Sequence, residues 1–401
     1  MNRFFLAVLL FYCTSSLAQL SNMIVFGDSL SDVGNFPESS RVWWDPQGKK
    51  DLHNIVPQLY VPFSNPVSTQ TDNPYLAKQA PIENNKNPRK YRSISWPQYF
   101  LIDAKNKKLL PSDYIAPSNL LNTQKIPNAI SFNYAWGYAT SEKNCVNPHY
   151  QLIKNCDSKS IYDARKNYEE NPSHQNYLKL EIPGLFQQLQ LFTQDYHANK
   201  ISVDKNTVYA FWIGGNDLII AANELRKRGN PFPALKFIFG GVEKNELKNI
   251  SILIQQLPVN QRPKNIYALE LFNPGLTPGF YHTKIASIAN FFVKCANFWL
   301  RWDTKLFNLF SNTKIVIMPV YQWYENDSEN TLFQAHMGQA CQLNFKDYTN
   351  PTIIPKTNCM GFMFWNAVHP ASGMNKRVAE LFLNQIIDKK SHFSKTSGTL
   401  C

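Results

Sequence analysis

Met23-Ile24-Val25-Phe26-Gly27-Asp28-Ser29-Leu30-Ser31-Asp32-Val33-Gly34-Asn35 decides how this chain is read. An apolar run of β-branched and aromatic residues stops at a glycine, which marks the end of a buried strand. Ser29 follows at once, so it belongs at a strand's carboxyl end, the edge where open α/β sheets bind ligands. Gly27 lets the backbone turn tightly enough to carry the next side chains into that crevice. Ser29 is the candidate nucleophile and Asp28 its neighbour. As a bare tripeptide Gly-Asp-Ser is also ordinary turn composition, so the assignment depends on what the rest of the chain supplies.

Further strand ends follow in order. Asn128 to Ala139 reads as a second buried strand stopping at Gly137, whose N–H can turn toward a crevice as an oxyanion site requires. Val208 to Ile213 stops at Gly214-Gly215-Asn216-Asp217, before a helical run from Leu218 to Lys227. Asn216 is therefore placed either to cap that helix or to donate to an oxyanion. Leu178, Glu181, Leu185, Leu189 and Phe192 recur at helical spacing, and Ile285 to Leu309 is a long apolar helix. With Ile266–Leu271 and Ile315–Val320 as two more strands, the alternation predicts a three-layer α/β/α fold around a parallel sheet. Right-handed crossovers would bring all the strand ends to one edge. His369 precedes a proline and the helical run Met374 to Ile387, so it lies in a loop held at a helix start. The other seven histidines fall in polar loops or helices.

Met1 to Arg3, apolar Phe4 to Tyr12 and Ser16-Leu17-Ala18 read as a signal peptide over residues 1–18. Its apolar run is shorter than the roughly 18 residues that span a bilayer. The exported chain, 19–401, reads as one domain with loop insertions at about 40–92 and 141–176. The first insertion carries Trp43, Trp44, Tyr60 and Phe63 and is a lid, a binding loop or a loop pinned to the body. The second is a lid or surface decoration. Export makes the cysteines candidates for disulfides. Close spacing favours Cys145–Cys156 and Cys341–Cys359, leaving Cys295 with Cys401. No Cys-x-x-Cys pair and no histidine at zinc spacing argue against metal, and no cofactor is expected. The formal charge of +12 suits nucleic acid or an anionic membrane. No nucleic-acid fold signature is present, so the membrane surface is the expected partner.

Phe26 to Asn35 resembles block I of the GDSL, or SGNH, hydrolases. Ser93 to Phe100 is similar to the Trp-Pro-Glu-Tyr helix start of their lipase branch. Asn133-Tyr134-Ala135-Trp136-Gly137-Tyr138-Ala139 resembles block II, with Tyr138 in place of the second glycine, and Gly214 to Asp217 resembles block III. Asn366-Ala367-Val368-His369-Pro370 resembles block V, with Asn366 where the family has aspartate. The resemblance implies an SGNH fold with Ser29 as nucleophile, His369 as base and Asn366 in the position that orients it. The Ser29 N–H, Gly137 and Asn216 would form the oxyanion hole. Asparagine carries no charge to stabilise the imidazolium, and the equivalent change in serine proteases costs about 10⁴ in turnover. The insertions and export signal resemble the secreted bacterial lipolytic branch that includes glycerophospholipid:cholesterol acyltransferases. That implies a phospholipid or lysophospholipid substrate, with water or a sterol as acyl acceptor. Two alternatives stand beside it: an attenuated scaffold that binds lipid or membrane, favoured by Asn366, and a carbohydrate esterase.

Overall fold

The computed structural model describes residues 19–36, 95–122, 131–171, 173–341, 343–344, 352–353, 361–364 and 368–388. The expected signal segment and the 40–92 insertion lie outside these residues. In chain order come β1 (Met23–Gly27), α1 (Trp96–Asn106), β2 (Ile115–Pro117) and β3 (Ser131–Asn133). A small hairpin follows, β4 (Cys145–Val146) and β5 (Leu152–Ile153), then α2 (Ser158–Glu170), α3 (His174–Leu178) and α4 (Leu185–His197). Next are β6 (Val208–Trp212), α5 (Gly215–Arg228), α6 (Phe232–Ile238), α7 (Gly241–Gln256) and β7 (Asn265–Leu269). The chain continues through α8 (Lys284–Phe310), β8 (Lys314–Met318), α9 (Val320–Ser328), α10 (Thr331–Gln334), β9 (Leu343–Asn344), β10 (Thr352–Ile353) and α11 (Ser372–Asp388).

Six strands pair in the order β2-β3-β1-β6-β7-β8, every pair parallel. A parallel sheet is covered on both faces, so its central strands are apolar without interruption. In β1, Ile24 and Phe26 enter one core and Met23 and Val25 the other. Tyr209 and Phe211 of β6 join the first, and Val208, Ala210 and Trp212 the second. Helices α4 and α7 close the first face through Leu189, Phe192, Ile250 and Leu253. On the second, α1 and α11 bring Trp96, Phe100, Val378 and Phe382. Phe26 shows how tight the first core is: its ring lies 4.8 Å from Phe211 and 5.7 Å from both Tyr134 and Phe192. The three-layer α/β/α expectation holds.

Two local readings change. The 141–176 stretch holds more than loop: it folds into the β4–β5 hairpin and α2, whose Asp157 and Ser160 cap each other at the helix start. The helical spacing read from Leu178 to Phe192 spans two helices, because Pro183-Gly184 interrupts it and Gly184 caps the new start. Cys145 and Cys156 form a disulfide across the hairpin. Cys341 is disulfide-bonded, and its expected partner Cys359 lies outside the described residues, as does Cys401, the partner expected for buried Cys295. No helix of the described residues is long and apolar enough to cross a membrane.

Candidate active site

The chain enters the sheet at β1, moves out to the β2 edge, returns to β3, and then crosses β1 to reach β6. The carboxyl ends of β3, β1 and β6 therefore stand side by side. Each of those strands ends in one of the turns read from the sequence, and the side chains of the turns converge there.

Gly27 ends β1 where a side chain has no room, since a Cβ would lie 2.2 Å from the carbonyl oxygen of Trp212 on β6. Gln188 of α4 accepts the Gly27 N–H at 2.9 Å and donates to its carbonyl at 2.8 Å, replacing the pairing the strand gives up. Beyond it the Asp28 carbonyl accepts the N–H groups of Ser31 and Asp32, winding 28–32 into a single helical turn. Ser29 sits at the open start of that turn, where N–H groups have no partner within the turn. Asp32 holds the rest of the loop: its carboxylate accepts the N–H groups of Gly34, Asn35 and Phe36. Asn35 donates to the carbonyls of Asn133 and Ala135, and Asn133 donates to that of Ser31. These polar side chains are buried, where each unmade hydrogen bond would cost about 1–3 kcal/mol.

His369, far along the chain, reaches this turn. Its Nε2 lies 2.9 Å from Ser29 Oγ, and both side chains are buried. Burial lowers the His369 pKa from 6.5 to about 3, so the ring is neutral at neutral pH and can accept the serine proton. Asn366 lies outside the described residues. Asp28, next to the serine, is driven the other way: burial, with Asp217 nearby, raises its carboxyl to about 7 against the Leu30 N–H it accepts.

The turn after β3 corrects one expectation. The Gly137 N–H does not face the crevice, because it donates to Asp32 Oδ2 at 2.9 Å and so ties this turn to the serine turn. Tyr138, in the position where the family pattern has a second glycine, adopts φ +66°, a left-handed conformation that glycine takes without cost. Its ring packs on Phe36 and Tyr150.

At the end of β6, Gly214 bends the chain at φ +115° and α5 begins with Asn216 in its first turn. Asn216 does not cap the helix. Its amide nitrogen donates to the Ala139 carbonyl at 2.8 Å, and its Oδ1 accepts the hydroxyl of Tyr150 at 2.8 Å. These two bonds fix the amide orientation and leave one Nδ2 hydrogen to aim elsewhere. Asp217 accepts both the N–H and the hydroxyl of Ser141, and burial raises it to about 6. Tyr150 sits at the tip of the disulfide-closed hairpin with φ +60°. Burial holds its hydroxyl well above the usual phenol range, so it stays a donor.

Sequence reasoning missed Gln188, Tyr150 and the bracing role of Asp32. Asp32 and Asp217 stood inside quoted motifs. Gln188 and Tyr150 carry no local signal, since one lies in the first turn of α4 and the other in an insertion. Among the described residues, no cluster of His, Cys, Asp and Glu is disposed to hold a metal ion.

The model of the GDSL-like lipase/acylhydrolases matches residues 23–382, which runs from the first residue of β1 into α11 and includes every turn described above. No curated protein matches the chain. A serine at the end of the first strand, a histidine before the last helix and a family match over most of the chain make one case: this chain belongs to the GDSL-like lipase/acylhydrolase family of ester hydrolases.

Proposed function

We propose that the protein is an exported lipid acyl hydrolase, a phospholipase A or lysophospholipase A that works through an acyl-enzyme on Ser29. The observation that carries this reading is the 2.9 Å approach of Ser29 Oγ to a buried, neutral His369. Ser29 Oγ attacks the ester carbonyl while His369 Nε2 takes its proton. The Ser29 N–H and the remaining Nδ2 hydrogen of Asn216 receive the oxyanion. Collapse of the tetrahedral intermediate expels the alcohol, which His369 protonates. A water molecule, or a sterol hydroxyl, then gives up its proton to His369 and attacks the acyl-enzyme, releasing a fatty acid or a steryl ester and freeing Ser29. No step requires a cofactor.

The family's acyl hydrolase chemistry, with residues 1–18 read as an export signal, supports a lipid ester as substrate. Asn366 favours a second reading, an attenuated scaffold that binds lipid without turning it over. Fatty-acid release from lysophosphatidylcholine by wild type, Ser29→Ala and Asn366→Asp separates the two. Serine-dependent release by wild type is expected, with Asn366→Asp faster if the missing charge limits the rate. Release by Asn366→Asp alone would establish the scaffold reading. Silence from all three, with release of acetate from acylated sugars, would make the protein a carbohydrate esterase.

A further inference from the structure

Helix α8 is apolar on two faces. One face packs inward through Phe292, Val293, Ala296 and Leu300. The other carries Ile288, Phe291, Phe298, Trp302, Leu306 and Leu309 at spacings of three, four and seven residues, one stripe of a helix about 40 Å long. Phe291 is 50% exposed, Trp302 49% and Leu309 72%, and Phe298 stacks on Trp302. Beside it the short helix α6 turns Ala234 and Phe237 inward but leaves Phe232, 75% exposed, with Leu235 and Phe239 outward. Trp299 joins the two by donating its indole N–H to the Ile238 carbonyl. At the far end the stripe runs into an apolar cleft of about 450 Å³ between α7 and α8, lined by Ile254, Leu306, Phe307 and Phe310. Soluble proteins seldom leave so much contiguous apolar surface open without a partner.

The charges around this surface say which partner. Lys294 and Lys305 of α8 and Lys244 and Lys248 of α7 are exposed, Arg301 is about half exposed and bonded to Glu270, and Lys236 of α6 is paired with Glu142. Against them, Glu243 and Glu246 of α7 are buried, and Asp303, the one carboxylate on α8, lies within the influence of Lys244. Aromatic side chains rimmed by lysine and arginine are the pattern of a helix that lies in a membrane interface. A second copy of this chain laid face to face would bring the same cations together. The surface also begins at the right place. α8 follows the carboxyl end of β7, and Lys236 ties α6 to Glu142, the residue after Ser141 on the catalytic edge.

We propose that the outer faces of α6 and α8 dock this protein on bilayers rich in anionic phospholipid, presenting the Ser29 edge of the sheet to the lipid. The proposal deepens the lipid-ester reading and rests on it for its purpose, but binding can be measured without turnover. The test is cosedimentation of the full-length Ser29→Ala protein with vesicles of phosphatidylglycerol or phosphatidylcholine, with and without Phe291→Glu/Trp302→Glu. Binding to phosphatidylglycerol should fall about tenfold in the variant and in about 0.5 M salt, and phosphatidylcholine should bind more weakly. Leu309→Glu at the far end of the stripe should weaken it in the same direction. The same glutamates placed in the Ser29-intact protein should leave hydrolysis of a water-soluble short-chain ester unchanged, which establishes that they fold. Absence of binding to phosphatidylglycerol, or equal binding by parent and variants, overturns the proposal. So does a concentration-dependent dimer that the glutamates abolish, which would assign the face to a second copy. If the wild type binds vesicles yet releases no fatty acid, the lipid-hydrolase reading fails and the docking surface stands.

Discussion

The turns after β1 and β3 stand side by side at one sheet edge and are held in opposite ways. The serine turn is tied first by its own carboxylate: Asp32, three residues after Ser29, holds Gly34, Asn35 and Phe36, and Gln188, Asn133, Trp96 and, through Asn35, Ser118, Asn119 and Arg165 add bonds from outside. The turn after β3 contains a left-handed tyrosine and is braced by distant elements: Asp32 through Gly137, Asn216 through Ala139 and Asp217 through Ser141. Asn216 is in turn held by Tyr150 from the disulfide hairpin. The first turn has a brace within its own motif, whereas the second takes its side-chain braces from wherever the rest of the chain arrives.

The sharpest test within the first turn is to separate chemistry from scaffold. Ser29→Ala should lower turnover by about 10⁴ or more while leaving the melting temperature nearly unchanged, because the hydroxyl contributes a single bond to His369. Asp32→Ala should do the reverse, with a loss of about 3 kcal/mol in urea unfolding, since it orphans four buried N–H groups across both turns. If only Gly137 were affected, the account of Asp32 as the internal brace of the serine turn would be wrong.

Asp28 sharpens the comparison through pH. Burial raises its folded pKa to about 7, above the ordinary 3.8 of an aspartate, so its contribution to stability is fully present below about pH 4 and is lost as pH rises to 7. Asp28→Asn removes that titration. The variant should gain about 4 kcal/mol on the wild type between pH 4 and pH 8, read from urea midpoints at both. His369 is shifted in the opposite direction, so the acid limb of kcat/KM should lie well below pH 6.5, and a limb near 6.5 would mean the ring is more solvated than its burial indicates.

The smallest effect tests the brace on the second turn. Tyr150→Phe should lower kcat about tenfold with KM little changed, because Asn216 loses the bond that orients its amide, and oxyanion donors act in the transition state. Reduction of Cys145–Cys156 should lower kcat in the wild type and add little in Tyr150→Phe. Additive losses would show that the hairpin serves the site by another route.

The same contrast explains what the sequence discloses. Strand ends at Gly27 and Gly214 and the sheet's two apolar faces follow from patterns whose meaning is local and that can be read in order along the chain, whereas the pairing of Ser29 with His369 comes only through the resemblance of their motifs to those of the GDSL hydrolases. Gly137 was assigned the wrong partner because a residue's identity does not say where its backbone N–H points; that direction was set by Asp32, on another strand end. Tyr150 could not be found, since its role exists only once a hairpin 66 residues from Asn216 in sequence has folded over α5. The 141–176 stretch looked irregular because its helix α2 is polar on most of its surface and buries only Ile161, Arg165 and Tyr168.

The 340 residues between Ser29 and His369 also set an order of events in time. Ser29 follows the first strand to be made, and His369 lies in the loop before the last described helix. At about 5–20 residues per second, synthesis of the intervening chain takes roughly 20–70 s. Through that interval the growing polypeptide carries Ser29 without His369, so under the proposed mechanism it cannot form an acyl-enzyme. His369 can reach Ser29 only once the chain that includes α11, which packs against α1, has been made.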